Sequence, residues 1–219
     1  MVRRAMLFAG LVAVAGFVGI TVIGAEMIPG YSHFSHPISQ MTEEGGASKA
    51  CLDPWFILFD FMVVAFASAL PGSVSPRNDG ARLHAERGGA FLALAGCLGI
   101  IMTLWLPMNG SVLTATATGS LHELVACAVT ISSILAILFF GLSFRISPEW
   151  SGFALYSLAT FCICVVMFDC HRPHHCFGQQ LAGGVAAHDR RCNCAVGISS
   201  SPQGVVGDYG LTRPGDPAG

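Results

Sequence analysis

Five long apolar segments, separated by short polar stretches, dominate the chain as far as Phe168. They cover residues 5–28, about 52–70, 88–106, 121–144 and 153–168. Because an α-helix rises about 1.5 Å per residue, each of the first four can cross a hydrocarbon core of roughly 30 Å, whereas the fifth is short for a full span. The pattern therefore predicts an all-α protein, a polytopic transmembrane helix bundle of about five spanning helices in residues 1–169.

The composition also indicates a membrane protein. Of 219 residues, 53% are hydrophobic and 11% are charged, whereas soluble domains have about 25% charged residues. The expected partner is therefore the lipid bilayer, and a net charge of −2 gives no indication of nucleic-acid binding. The nine cysteines include no C-x-x-C pair, and several lie in apolar runs, so they do not indicate a disulfide scaffold.

The distribution of basic residues predicts the topology. Arginines lie before the first segment, between the second and third, and between the fourth and fifth: Arg3, Arg4, Arg77, Arg82, Arg87 and Arg145. The remaining two loops carry only Lys49. By the positive-inside rule we expect a multi-pass protein of the cell membrane with a cytoplasmic N-terminus. The loops 31–47 and 112–120 would then lie together at the outer face.

Two sequence signals predict where helices begin. Asp53 followed by Pro54 is typical of an N-cap and a proline in the first helical turn. Ser120 followed three residues later by Glu123 fits a capping box. His122 lies between Ser120 and Glu123 and has no obvious capping role. A neutral imidazole there could bind a metal, shuttle a proton or bond a hydroxyl group.

The outer loop "YSHFSHPISQMTEEGGA" brings several polar side chains together in a short stretch: His33, Ser35, His36, Ser39, Glu43 and Glu44. We expect a short helix over 37–44, capped by His36 or Ser35 and ended by the two glycines. A capped interfacial helix that seals the bundle explains this stretch structurally. The alternative is a reaction or metal site, for which the catalytic candidates are His36, Ser39, His122 and Asp60 and the metal candidates are His33, His36 and His122.

Asp60 lies inside the second apolar segment, about five residues below Trp55. That separation puts it roughly 8 Å below the outer interface. A carboxylate at this depth is costly unless it faces protein or water, so such residues are functional candidates. Gly96, Gly99, Cys162 and Cys164 are expected instead to pack helices.

The tail, residues 170–219, departs from the apolar pattern and is rich in Gly and Pro. We expect it to be disordered and dispensable, so that truncation after Asp169 leaves folding unchanged. Two alternatives remain open. Its histidines and cysteines could bind zinc, although their spacing fits no standard finger, and a frame shift near Asp169 would explain the abrupt change of composition.

Three stretches carry a resemblance to a known family: "YSHFSHPISQMTEEGGA", "LWLPMNGSVLTATATGSLHELVA" and "FRISPEWSGFALYSLATF". Over residues 5–168 the chain resembles the integral-membrane domain-of-unknown-function family 998 (DUF998). The "HPIS" tetrapeptide and His122 are its most specific marks. The resemblance implies a compact bundle of six or so helices and no established activity. Asn109 stands where members commonly have an acidic residue, and a recognisable sixth helix is absent from the sequence.

Two function classes follow. In the first, favoured because no motif dictates chemistry, the chain is a non-enzymatic membrane component: a small transporter, a sensor or a structural subunit. In the second, the chain is a membrane hydrolase whose site is formed by His33, His36, His122 and Asp60. These residues would bind a metal, for which zinc is the candidate, or act as acid–base groups, and Ser39 would be the nucleophile or a ligand. Such a hydrolase would act on a lipid-like or small substrate.

Overall fold

The structure is a computed structural model that describes residues 2–74, 79–109 and 116–170. Within these residues the chain forms six α-helices and two 3-10 helices and contains no β-strand, which confirms the all-α prediction. The α-helices are α1 (Val2–Glu26), α2 (Lys49–Ala69), α3 (Pro71–Val74), α4 (Asp79–Trp105), α5 (Ala117–Ile146) and α6 (Ser151–Cys170), and the 3-10 helices are Ile38–Thr42 and Pro148–Trp150.

The described part of the chain has five segments that are long and apolar enough to cross a membrane, as predicted: Val2–Glu26, Lys49–Ala69, Asp79–Trp105, Ala117–Ile146 and Pro148–Phe168. The chain is therefore a multi-pass membrane protein. The last span is 21 residues long because a 3-10 turn precedes α6, so the expectation that it is too short is wrong. The predictions for the tail beyond Cys170 lie outside the described residues.

The long helices pack mainly in chain order, α1 on α2, α2 on α4, α4 on α5 and α5 on α6. Small residues permit the close approaches. A Cβ built on Gly89 would lie 2.9 Å from the carbonyl oxygen of Ala67, and one on Gly96 would lie 3.0 Å from that of Asp60. The glycines of α4 thus let α2 come close, with its backbone at Gly89 and Gly96 and with the Asp60 side chain at Gly99, as the sequence predicted for Gly96 and Gly99.

Both predicted helix starts are wrong. Helix α2 begins at Lys49, and the Asp53 carboxylate pairs with the Lys49 ammonium at 2.6 Å instead of capping the backbone. Helix α5 begins at Ala117, because the Thr116 hydroxyl oxygen accepts from the Gly119 amide at 3.0 Å. Ser120 therefore lies within the first turn of α5 and is not its N-cap. Helix α4 also begins well before the apolar run that starts at residue 88.

Candidate functional site

The cap consists of two connecting segments, residues 31–47 and 106–109, at the face where α1 and α4 end and α2 and α5 begin. We call this the cap face and the opposite one the arginine face. The helix predicted over 37–44 is a 3-10 helix at Ile38–Thr42 with Pro37 in the N-cap position. It has no side-chain cap, so the expected capping by His36 or Ser35 is wrong. Gly45, with φ +82°, makes the predicted turn after it.

Three hydrogen bonds join the two segments of the cap. The Glu44 amide donates to the Met108 carbonyl oxygen at 2.9 Å, and the Asn109 side-chain amide donates to the Glu44 carboxylate at 2.7 Å. The Ser39 hydroxyl donates to the Met108 sulfur at 3.3 Å, a weak acceptor. The loop between α1 and α2 is thereby fixed to the chain that leaves α4.

Met41 anchors the cap on the helices below it. Its side chain is fully buried, and its sulfur would lie 3.0 Å from a Cβ on Gly24 of α1, beside the Leu52 side chain of α2. The Ser48 hydroxyl donates to the Met41 carbonyl oxygen at 2.8 Å, next to the start of α2. Sequence analysis missed Met41; the available signal was an apolar residue within an otherwise polar stretch.

His33 and His36 flank the ring of Tyr31. His36 stacks on it at 5.6 Å between ring centroids, and His33 meets it edge-on at 5.1 Å. The Ser32 amide, which can only donate, lies 3.2 Å from Nδ1 of His36, so this nitrogen is the acceptor and a neutral ring carries its proton on Nε2. The Tyr31 hydroxyl donates to the His36 carbonyl oxygen at 3.4 Å, and burial raises the pKa of its phenol.

His122 is buried, with 6% of its surface exposed, and it bonds across to the end of α4. Its Nδ1 lies 2.6 Å from the Leu106 carbonyl oxygen. A carbonyl only accepts, so Nδ1 carries hydrogen and Nε2 is left as the acceptor of a neutral ring. Leu106 follows directly on α4, where carbonyl groups lack partners within the helix. His122 therefore does have a capping role, contrary to expectation: it caps α4 from α5.

Asp60 lies below the cap, about 16 Å along α2 from Lys49. Its carboxylate faces α4: a Cβ on Gly99 would lie 2.5 Å from Oδ2 and 2.6 Å from Oδ1. Within residues 2–74, 79–109 and 116–170 this carboxyl group has no hydrogen-bond partner. Asp60 is thus placed between two spanning helices, apart from the histidines of the cap.

The structure therefore distributes the predicted site residues over four places: the Tyr31 ring, the Met108 sulfur, the Leu106 carbonyl group and the contact between α2 and α4. No hydrogen bond in the described part of the chain joins any two of His36, Ser39, His122 and Asp60. His33 and His36 share the Tyr31 ring, and His122 bonds elsewhere. Among the residues that the structure describes, no group of three or more His, Cys, Asp or Glu side chains could hold a metal ion.

A cleft of about 600 Å³ lies beside the cap, between the end of α1 and the first turn of the loop. Its ionisable side chains are those of Glu26, Tyr31 and His33; the lining residues are Val22, Ala25, Glu26, Ile28, Pro29, Gly30, Tyr31, Ser32, His33 and Phe34. Of the predicted site residues, His33 alone lines this cleft.

Comparison with known proteins gives one family. A family model described as a protein of unknown function (DUF998) matches residues 11–171. This match confirms the resemblance seen in the three sequence stretches, and it ends at the beginning of the tail. Neither a curated protein nor a solved structure matches the chain.

Proposed function

We propose that this chain, which belongs to the DUF998 family of proteins of unknown function, is a non-enzymatic membrane component that works as a small transporter. In this proposal Asp60 takes up and releases a proton within the bilayer, and the cap closes the bundle at one face. The cell membrane, with the N-terminus in the cytoplasm, is the location that the arginine distribution favours.

One observation carries the proposal: the Asp60 carboxyl group faces another helix in the membrane interior without a hydrogen-bond partner in the described residues. An aspartate at the centre of a spanning helix costs about 2.5–3.5 kcal/mol on insertion scales. Packing alone would be served better by an apolar side chain at this place. Ionisable groups that face the bundle interior are typical of proton relays and ion pathways.

The contacts of the cap support a structural role for its polar residues. Ser39 donates to Met108, Glu44 bonds both Met108 and Asn109, and His122 caps α4. Each of these bonds joins two different elements of the fold. A hydrolase would instead need a nucleophile within reach of a base, about 2.6–3.2 Å, and the Ser39 hydroxyl bonds a methionine sulfur. The closure role therefore has the better support.

Proton movement in liposomes tests the transporter proposal. The full chain is reconstituted with a trapped pH dye, and proton flux is followed after a pH gradient and a membrane potential are imposed. Asp60→Asn should abolish the flux and Asp60→Glu should restore part of it. Glu26→Gln, which removes an exposed carboxylate at the end of α1, is the matched control and should leave the flux unchanged.

The proposal fails if Asp60→Asn carries protons at the rate of the unchanged chain. Metal analysis of the protein in detergent tests the hydrolase alternative separately. Stoichiometric zinc that is lost in the His36→Ala, His122→Ala double variant would favour a metal site at the cap face over the structural role.

A further inference from the structure

A second cleft opens at the arginine face, away from the cap and from Asp60. It has a volume of about 610 Å³ and lies between α2, α3 and α4. Ligand sites commonly occupy about 300–1,000 Å³. The lining residues are Ala67, Ser68, Pro71, Gly72, Arg82, Glu86, Gly89, Ala90 and Ala93.

Two arginines with the same arrangement of bonds lie at this cleft: Arg82 lines it, and Arg3 contacts the lining residue Gly72. Arg82 donates from Nε to the Glu86 carboxylate at 2.8 Å, and Arg3 donates from Nε to the Ser73 hydroxyl at 3.0 Å. Arg3 lies over Gly72, its Nη2 3.2 Å from where a Cβ would be. Among the described residues the Nη groups of both arginines have no hydrogen-bond partner. Two forks of donors therefore remain at the entrance.

The floor of the cleft is apolar and runs into the bilayer. Ala90 and Ala93 follow Arg82 on the same helix by eight and eleven residues, which places them about 12 Å and 16 Å further along the axis of α4. Ala67 and Gly89 provide the other apolar surfaces. The side chains here are small and apolar, which suits contact with a hydrocarbon chain.

We propose that this cleft binds one anionic phospholipid from the leaflet at the arginine face. The Nη groups of Arg3 and Arg82 hold the phosphate, for which the planar guanidinium fork is suited. One acyl chain lies along Ala90 and Ala93. Glu86 and Asp79 face Arg82, whereas Arg3 bonds the neutral Ser73 hydroxyl and pairs with no carboxylate among the described residues, so its free charge favours an anionic over a zwitterionic headgroup. The apolar floor distinguishes a lipid from free phosphate, which has nothing to place there.

Native mass spectrometry of the full chain, released from nanodiscs of mixed phosphatidylglycerol and phosphatidylcholine, tests this site. The unchanged chain should retain one phosphatidylglycerol in preference to phosphatidylcholine. Each of Arg3→Gln and Arg82→Gln should lower that retention about fivefold, the fold-change that corresponds to about 1 kcal/mol for one basic residue near an anionic leaflet. Arg145→Gln, which removes an exposed charge at the same face outside the cleft, is the matched control.

A second variant tests the floor. Ala93→Leu fills the apolar end while leaving both arginines in place, and it should lower the retention of phosphatidylglycerol as well. Equal retention of the two lipids, or an equal effect of Arg145→Gln and Arg82→Gln, would overturn the site. Displacement of the lipid by millimolar inorganic phosphate would overturn it too, because the charge alone would then account for binding. Arg3→Gln and Arg82→Gln change exposed side chains, so they remain informative should Ala93→Leu fail to fold.

Discussion

His122→Phe is the substitution that best separates a structural from a chemical role for the cap. Phenylalanine keeps a ring in the buried position, so it removes the Nδ1–H donor without opening a large cavity. The Leu106 carbonyl oxygen then loses its partner at 2.6 Å. A hydrogen bond contributes about 0.5–1.5 kcal/mol net, and an acceptor left buried without a partner costs about 1–3 kcal/mol.

We expect His122→Phe to lower the free energy of unfolding by about 1–2 kcal/mol, because Leu106 itself is only half-buried and water can partly replace the lost donor. Unfolding in detergent micelles with increasing SDS measures this loss. Glu123→Gln, at the exposed next position, is the control and should stay within about 0.5 kcal/mol of the unchanged chain. Hydrogen exchange at the Glu44 amide, which bonds Met108 in the adjoining segment, should become about 5–30-fold faster.

A stability of His122→Phe equal to that of the control would refute this reasoning. If proton flux or zinc binding were lost at the same time, His122 would act chemically and the cap would be a site. If proton flux and zinc binding also stayed unchanged, the bond between His122 and Leu106 would contribute no stability beyond that of the surrounding packing.

Three further outcomes can be measured. Gly96→Ala should destabilise the bundle more than Gly99→Ala, since the first meets the Asp60 backbone and the second its rotatable carboxyl group; unfolding in SDS measures both. Burial raises the pKa of the Tyr31 phenol, so the group should titrate above about 10 when the absorbance of the chain is compared with that of Tyr31→Phe. The stability that the neutral phenol contributes should be present below pH ~10 and should be lost as the pH rises through the raised pKa. In a chain whose other cysteines are serine, Cys51 should react from outside the cell and Gly80→Cys only after permeabilisation; the reverse would refute the predicted orientation.

The spans could be predicted from the sequence, but the helix ends could not. Apolar runs report which residues lie in hydrocarbon, whereas a helix continues into water wherever backbone and side-chain bonds support it. Helix α4 therefore begins at the polar residue Asp79, about two and a half turns before its apolar run. An aspartate before proline carries the signal of an N-cap, yet Asp53 pairs with Lys49 one turn earlier.

The candidate site illustrates a second limit. Local sequence marked the outer loop and His122 as unusual, and both do lie at the cap face. Which groups they bond depends on tertiary contacts: the partner of His122 is a carbonyl sixteen residues away, and that of Ser39 is a methionine in another connecting segment. Residue types at short spacing carry no information about such pairs, so the sequence could suggest a cluster but not its bonds.

The order of the helices explains why a cap is needed at all. Since α1 packs mainly on α2 and α6 mainly on α5, the bundle resembles a row in which α4 joins the two halves. Lipid supplies no hydrophobic force that would hold such a row together, so packing and polar bonds must do so. At the cap face, residues 106–109 accept bonds from the α1–α2 loop through Met108 and from α5 through Leu106. This one segment therefore ties both halves to α4 at the cap face, in addition to the helix packing that holds α2 and α5 against α4.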